Sequence, residues 1–361
     1  MGSRGLSEGC TRLLNKFKST MKNLHRVPSA LLAITFLPAG AGPVDITYAP
    51  DPGTRWHKTF ECSTMVEWDE LNVVMAGQEV DSQFLPQIDL ESRDTVHIEV
   101  IDELHQVRRG RPTLVHRTYG EVRREAEEDM EIVGMGGVET AGSQGEGRSP
   151  LEGRTVAFEW SDDGEDYSTT WVGREADDDL LEGLDGDLEL LAWLPDDAVE
   201  VGDSWTLPAS VIGGLLQPGG ELSIELEGEN VETFETKGDD EGSIDGELTL
   251  RLTDVKNSDG GRLAIVVVEG EATSQRSYPG DLKDVPVAEG TTTVTDEVEY
   301  ELEGELSWDL GSGILRTLEI TGETQIKSHA IKDDDQPGPA FESIATLIGE
   351  VTFSITVEPA D

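Results

Sequence analysis

Alternation constrains this chain more than any other feature. Val96, Ile98 and Val100 are apolar, and His97 and Glu99 between them are polar, the period of two that a strand with one buried face requires. Thr113–Val122 has the same character, and Arg109-Gly110-Arg111-Pro112 between the two segments has the composition of a hairpin turn. Similar stretches recur at Trp56–Val66, Leu71–Val80, Thr155–Trp160, Tyr167–Val172, Glu247–Val255, Arg262–Gln275, Thr292–Trp308, Ile314–Ile331 and Glu350–Val357. Asn257-Ser258-Asp259-Gly260-Gly261 and Leu310-Gly311-Ser312-Gly313 supply two more turns. The expectation is a mainly β protein of curved antiparallel sheets, half-barrel or sandwich-like.

Two helical islands interrupt the pattern. Leu180, Leu184, Leu188 and Leu191 recur at helical spacing behind the acidic start Asp177-Asp178-Asp179. Residues 177–193 are therefore expected to form one or two short helices, divided near Gly183 and Gly186, and 209–216 a further brief helical turn. Residues 134–150, rich in Gly, Ser and Glu, have loop composition. The expected organisation is a β layer over 42–208, which carries that loop and helical insert, and a second over 209–361.

Residues 1–41 are set apart. Lys22, His25 and Arg26 precede the apolar run Leu31, Leu32, Ala33, Ile34, Phe36 and Leu37, and Ala39-Gly40-Ala41 is a small-x-small site. That order is the one an export signal shows, with Met21 as its natural start, and the run is too short to span a bilayer as an anchor. The expectation is a secreted or periplasmic protein with no transmembrane anchor once the leader is removed.

Charge narrows the partners. The 75 acidic residues outnumber the 27 basic ones, for a net charge of -48. Nucleic acids and anionic membranes are disfavoured, because phosphate binding needs a positive field. Without the leader's Cys10, Cys62 stands alone, which excludes a disulfide framework and a Cys-rich zinc site.

The clearest departure from acidity is a basic hairpin, where Arg108, Arg109, Arg111, Arg117, Arg123 and Arg124 fall close together. They suit contact with an acidic polymer or partner surface, or internal pairing with Glu121, Glu125, Glu127 and Glu128. The second is favoured, since surface charge pairs are common and weak.

No catalytic constellation stands out. Gly202-Asp203-Ser204 matches the start of a Gly-Asp-Ser-Leu esterase motif, but its serine needs a histidine base. The only later histidine is His329, and Ile326 stands where an Asp-x-x-His motif has its Asp. Paired carboxylates occur throughout, with no spacing that singles out a glycosidase pair. A secreted hydrolase using Ser204 or such a pair is the alternative to a non-enzymatic binding or structural role. His97 and His105, eight residues apart, lie about 26 Å apart in an extended strand and cannot share a metal. Calcium is the one cofactor that ligand type favours, through Asp162-Asp163-Gly164-Glu165-Asp166, Asp185-Gly186-Asp187, Asp239-Asp240-Glu241 and Asp333-Asp334-Asp335. None of these has EF-hand spacing, and the expectation remains a protein with no dedicated metal ligands.

Leu194-Pro195 followed by Val199-Glu200-Val201-Gly202-Asp203-Ser204-Trp205, with Trp308-Asp309-Leu310-Gly311-Ser312-Gly313-Ile314 further on, resembles a segment of uncharacterised secreted bacterial β proteins of the DUF6263 type. The resemblance spans roughly 190–320 and implies export and a β fold, not a reaction. A half-barrel of this kind could shelter an apolar ligand, an expectation that rests on architecture alone.

Overall fold

The computed structural model describes residues 42–134, 137–161, 166–173, 177–186, 190–231, 243–258, 261–281, 291–332 and 340–360. The alternating segments form strands, most of them longer than the sequence pattern indicates. In chain order they are β1 (Arg55–Met75), β2 (Gln78–Glu79), β3 (Gln87–Arg108), β4 (Arg111–Gly134), β5 (Gly137–Arg148), β6 (Thr155–Ser161) and β7 (Asp166–Trp171). The second half adds β8 (Ser204–Pro208), β9 (Glu225–Glu229), β10 (Ile244–Ser258), β11 (Gly261–Asp281), β12 (Thr291–Asp309), β13 (Ile314–Lys332) and β14 (Phe341–Pro359).

All fourteen belong to one antiparallel, curved sheet that does not close into a barrel, with the path β7-β6-β4-β3-β1-β14-β13-β12-β11-β10-β8. The chain leaves along β1, turns back through β3 and β4 on one side, and returns through β10 to β14 so that β14 pairs with β1. The boundary expected at 208/209 does not separate one sheet from another. β8 lies before it and pairs with β10 after it, from Ser204 opposite Arg251 to Pro208 opposite Glu247.

Turn chemistry behaves as the sequence indicates. Arg109 and Gly110 both adopt positive φ, 52° and 73°, between β3 and β4, the conformation a tight two-residue hairpin favours. At the β12–β13 turn Asp309 Oδ1 accepts the backbone N–H groups of Gly311 and Ser312, and Arg316 donates to Oδ2 at 2.7 Å.

One expectation is corrected. Residues 137–148, expected as loop, form β5, which pairs with β4 and β9. Its glycines suggest a loop in sequence, but at Gly147 the neighbouring backbone is too close for a side chain: a Cβ there would run into the carbonyl of Glu225. As expected, 177–193 carries two short helical pieces among the described residues, both 3-10 in type, Asp178–Leu181 and Leu191–Trp193. Asp177 caps the first by accepting from the Asp179 N–H, and Leu188 lies outside the described residues. Over 209–216 a 3-10 turn, Ala209–Ile212, leads into the short helix α1 (Gly213–Leu216). No described helix is long and apolar enough to cross a membrane.

One face of the sheet carries the core. Leu248, Leu250 and Leu252 of β10, Val266 and Val268 of β11, Leu318 and Ile320 of β13, and Ile98 and Val100 of β3 are almost wholly buried there. Packed against them come Val44, Ile46 and Tyr48 from the segment before β1, then Trp193, Ile212, Leu215 and Leu222. Trp308 Nε1 donates to the Thr47 carbonyl at 3.3 Å, and the Ala49 N–H donates to the Gly313 carbonyl at 3.1 Å. Trp205 donates its indole N–H to the Trp193 carbonyl at 3.0 Å, which fixes the 3-10 turn against edge strand β8.

Candidate functional site

Among the described residues, the core covers only a portion of this face. Beyond the middle of the long strands, burial stops alternating cleanly. In β14, Val351, Phe353, Ile355 and Val357 are buried, whereas Glu342 to Gly349 are all half-buried. Gly349 sits at the change, and a Cβ there would collide with the Met65 carbonyl, so β1 and β14 approach more closely than side chains elsewhere permit.

Directly opposed residues of paired strands share a face, which makes the composition of the uncovered half readable from the register. Met130 opposes Leu90, Trp68 opposes Leu347, Leu347 opposes Ile326, and Ile326 opposes Val298. Leu90 and Trp68 are next in line after the Glu91–Glu67 pair. The result is two apolar runs on one face, Met130–Leu90 across β4 and β3 and Trp68–Leu347–Ile326–Val298 across β1, β14, β13 and β12, which flank the end of the β1–β3 pairing at Glu67–Glu91. Each member is half-buried, and none belongs to an apolar core cluster among the described residues. On the same face, Arg124 reaches Asp94 through Nε at 3.0 Å, and Arg276 reaches Asp296 through Nε at 3.0 Å. The opposite face over this stretch carries polar partners such as Lys327–Glu299 and His329–Glu342, at 2.9 and 2.8 Å.

The six hairpin arginines separate into different environments. Arg117 is a correction to their reading as a surface group. It is fully buried, bidentate on Asp102 through Nε at 2.8 Å and a terminal nitrogen at 3.0 Å, and it donates to the Asp185 and Gly186 carbonyls. Lys58 Nζ lies 2.9 Å from Asp102 Oδ2, the oxygen that also accepts from the Arg117 terminal nitrogen. Burial opposes ionisation of Asp102, but Arg117 and Lys58 outweigh it and bring the carboxyl down to about 2. Arg124 is held by Asp94, Arg123 by Glu121 and Glu125, and Arg111 lies 4.0 Å over the Trp160 ring. Arg108 and Arg109 remain at the exposed tip.

Ser204 is an exposed residue at the start of edge strand β8, while His329 is engaged with Glu342. Gly202 has φ 103°, and Asp203 closes its turn by accepting from the Glu200 N–H at 2.8 Å. His97 and His105 are separated as their spacing predicts. His105 lies 3.5 Å from Glu103 and packs on His116, and His97 stands between Glu61 and Glu99. Most of the calcium candidates, Asp162–Glu165, Asp187, Asp239–Glu241 and Asp333–Asp335, lie outside the described residues. Asp185 and Gly186 direct their carbonyls to Arg117. Cys62 is buried on the core face, and burial, with Asp94 nearby, pushes its thiol up to about 12. A cleft of about 600 Å³ lies at the β4–β5–β9 edge, lined by Arg93 and by Glu125, Glu127, Glu146, Glu227 and Glu229 among others.

No family model matches this chain, and no curated protein matches it in sequence. Among solved structures, an outer membrane channel from Pseudomonas putida F1 aligns at 9% identity over 88% of this chain and 100% of that one, with a TM-score of 0.20. Pseudomonas aeruginosa OpdQ aligns at 7% identity over 85% and 99%, with a TM-score of 0.15. The P. putida toluene transporter TodX aligns at 8% over 88% and 94%, with a TM-score of 0.13. Similarity at this level carries no argument about the present chain.

Proposed function

We propose that this chain is an exported binding protein whose curved sheet holds an apolar, acyl-chain-like ligand against the half of its core face that the described chain leaves uncovered. The apolar runs Met130–Leu90 and Trp68–Leu347–Ile326–Val298 on that face are the observation that supports it. Contiguous apolar surface on a soluble face marks an interaction site more often than scattered apolar residues do, and covering it gains about 25 cal/mol for each Å² removed from water. The carboxylate-lined cleft offers a ligand no comparable gain, because its groups are already solvated. Export rests on the positive–apolar–small order from Lys22 to Ala41, and the likeness of 190–320 to secreted DUF6263-type proteins belongs to the same reading.

Titration with a fluorescent long-chain fatty acid tests the binding. Saturable enhancement is expected, weakened at least about tenfold by Leu347→Asp and unchanged by Ile348→Asp, since successive strand residues point to opposite faces. Equal loss in both variants, or no saturable signal in the parent, would overturn the reading. N-terminal sequencing of protein from its native host is expected to begin at or near Gly42, and an intact cytoplasmic N-terminus would refute export.

A further inference from the structure

We propose that the face opposite the core, over β1, β3 and β4, holds a divalent transition-metal ion of the zinc type through His97, Glu99 and Glu121. One ligand atom from each of the three lies within 4.8 Å of the others. The arrangement depends on a bulge. Ile98 opposes Val122, and the register then shifts so that Val100 opposes Tyr119. Gly120 and Glu121 together therefore face Glu99, and position 120 is tight, since a Cβ there would come within 3.2 Å of the Glu99 carbonyl. Bulges re-aim side chains in this way, and here Glu121 is turned toward Glu99 and His97.

The spacing fits a shared cation. His97 Nε2 is 3.6 Å from Glu99 Oε1, too far for a hydrogen bond. Two ligands at about 2.1 Å in a tetrahedral shell are separated by about 3.4 Å. The other ring nitrogen, Nδ1, is buried without a hydrogen-bond partner and lies 3.7 Å from a Glu61 carboxylate oxygen. Closing that gap would let Nδ1–H donate to Glu61, the outer hydrogen bond that orients a metal-bound ring. Arg123 Nε lies 3.0 Å and a terminal nitrogen of Arg148 3.6 Å from Glu121 Oε1, as ion-pair contacts. His57 Nε2, 3.9 Å from Glu99 Oε2, stands next to the group. An imidazole among carboxylates selects a zinc-like ion over calcium, whose ligands are oxygens.

The test is calorimetric titration of the leaderless full chain with Zn²⁺ in excess Mg²⁺, which occupies scattered carboxylates. One site per chain is expected, weakened at least about tenfold by His97→Asn and by Glu121→Gln, and unchanged by His105→Asn on the same strand. Co²⁺ is expected to give the d–d absorption of a low-symmetry site in the parent and to lose it in Glu121→Gln, which serves as the readout if His97→Asn folds poorly. Shallow multi-site uptake only, or equal behaviour of His97→Asn and His105→Asn, would overturn the site.

Discussion

Asp102 and Arg117 form a two-point ion pair, 2.8 and 3.0 Å, with both side chains sealed from solvent beneath the sheet. A buried pair of this kind contributes little over an apolar replacement, but removing one member strands the other. Asp102→Ala takes the buried carboxylate away from both Lys58 and Arg117, and it is expected to cost about 3–5 kcal/mol in denaturant melts. A loss below about 1 kcal/mol would show that water enters the site.

The same carboxyl sets an acid limit. Its folded value, about 2, lies below its ordinary 3.8, so its contribution is complete above the ordinary value and is lost as pH falls through the folded one. Asp309 shifts downward as well: burial opposes this, but the hydrogen bonds from Arg316, Gly311 and Ser312 prevail. Stability from these two groups is expected to hold from pH 7 to pH 5 and to fall below about pH 4. Denaturant melts across that range, with Asp102→Asn flattening the low-pH slope, check it.

Covered and uncovered halves of the face should respond differently to truncation. Leu250 is completely buried, and Leu250→Ala is expected to cost about 2–5 kcal/mol. Ile326 is half-buried and outside the core clusters, so Ile326→Ala is expected to cost clearly less than the Leu250 change. Equal costs would mean that something covers the row in the free protein.

Cys62 is expected to be inert to thiol reagents in the native state. Its thiol is buried and held to about 12, and the thiolate is the reactive form. Labelling by Ellman's reagent should appear only as denaturant unfolds the chain, and stoichiometric labelling of native protein would contradict the burial.

A net charge of -48 opposes compaction by self-repulsion. Added NaCl is expected to raise the melting temperature by screening, over a length of about 8 Å at physiological ionic strength. At matched ionic strength, CaCl₂ should exceed NaCl only if loop carboxylates coordinate calcium. A melting temperature insensitive to NaCl would remove self-repulsion as a limit.

Much of the strand content is legible in the sequence because alternation such as Val96–His97–Ile98 reports one buried face directly. The strand at 137–148 is hidden there because glycine has the same appearance whether it frees a loop or makes room for a neighbouring backbone. Leucine spacing over 180–191 reports short helical pieces because the 3-10 turns direct Leu180, Leu181 and Leu191 onto the core. Arg117 and Glu121 escape for a common reason. Shifts in register along the β3–β4 pair, between Ile98 and Val100 and again near Leu104, change which residues share a face, and a one-residue shift carries no signature in composition. The apolar row is visible residue by residue, but only the pairing register aligns Trp68, Leu347, Ile326 and Val298 across four strands.

The meeting of β1 with β14 has a kinetic consequence. Trp56 lies opposite Pro359, about 300 residues away along the chain, so this topology has high contact order and closes its longest loops late. Until Phe341–Pro359 is seated, β1 and β13 both present long unpaired edges, the kind of surface on which partly folded chains associate. Conditions that delay the docking of this one strand should therefore favour aggregation over refolding, even where the finished sheet is stable.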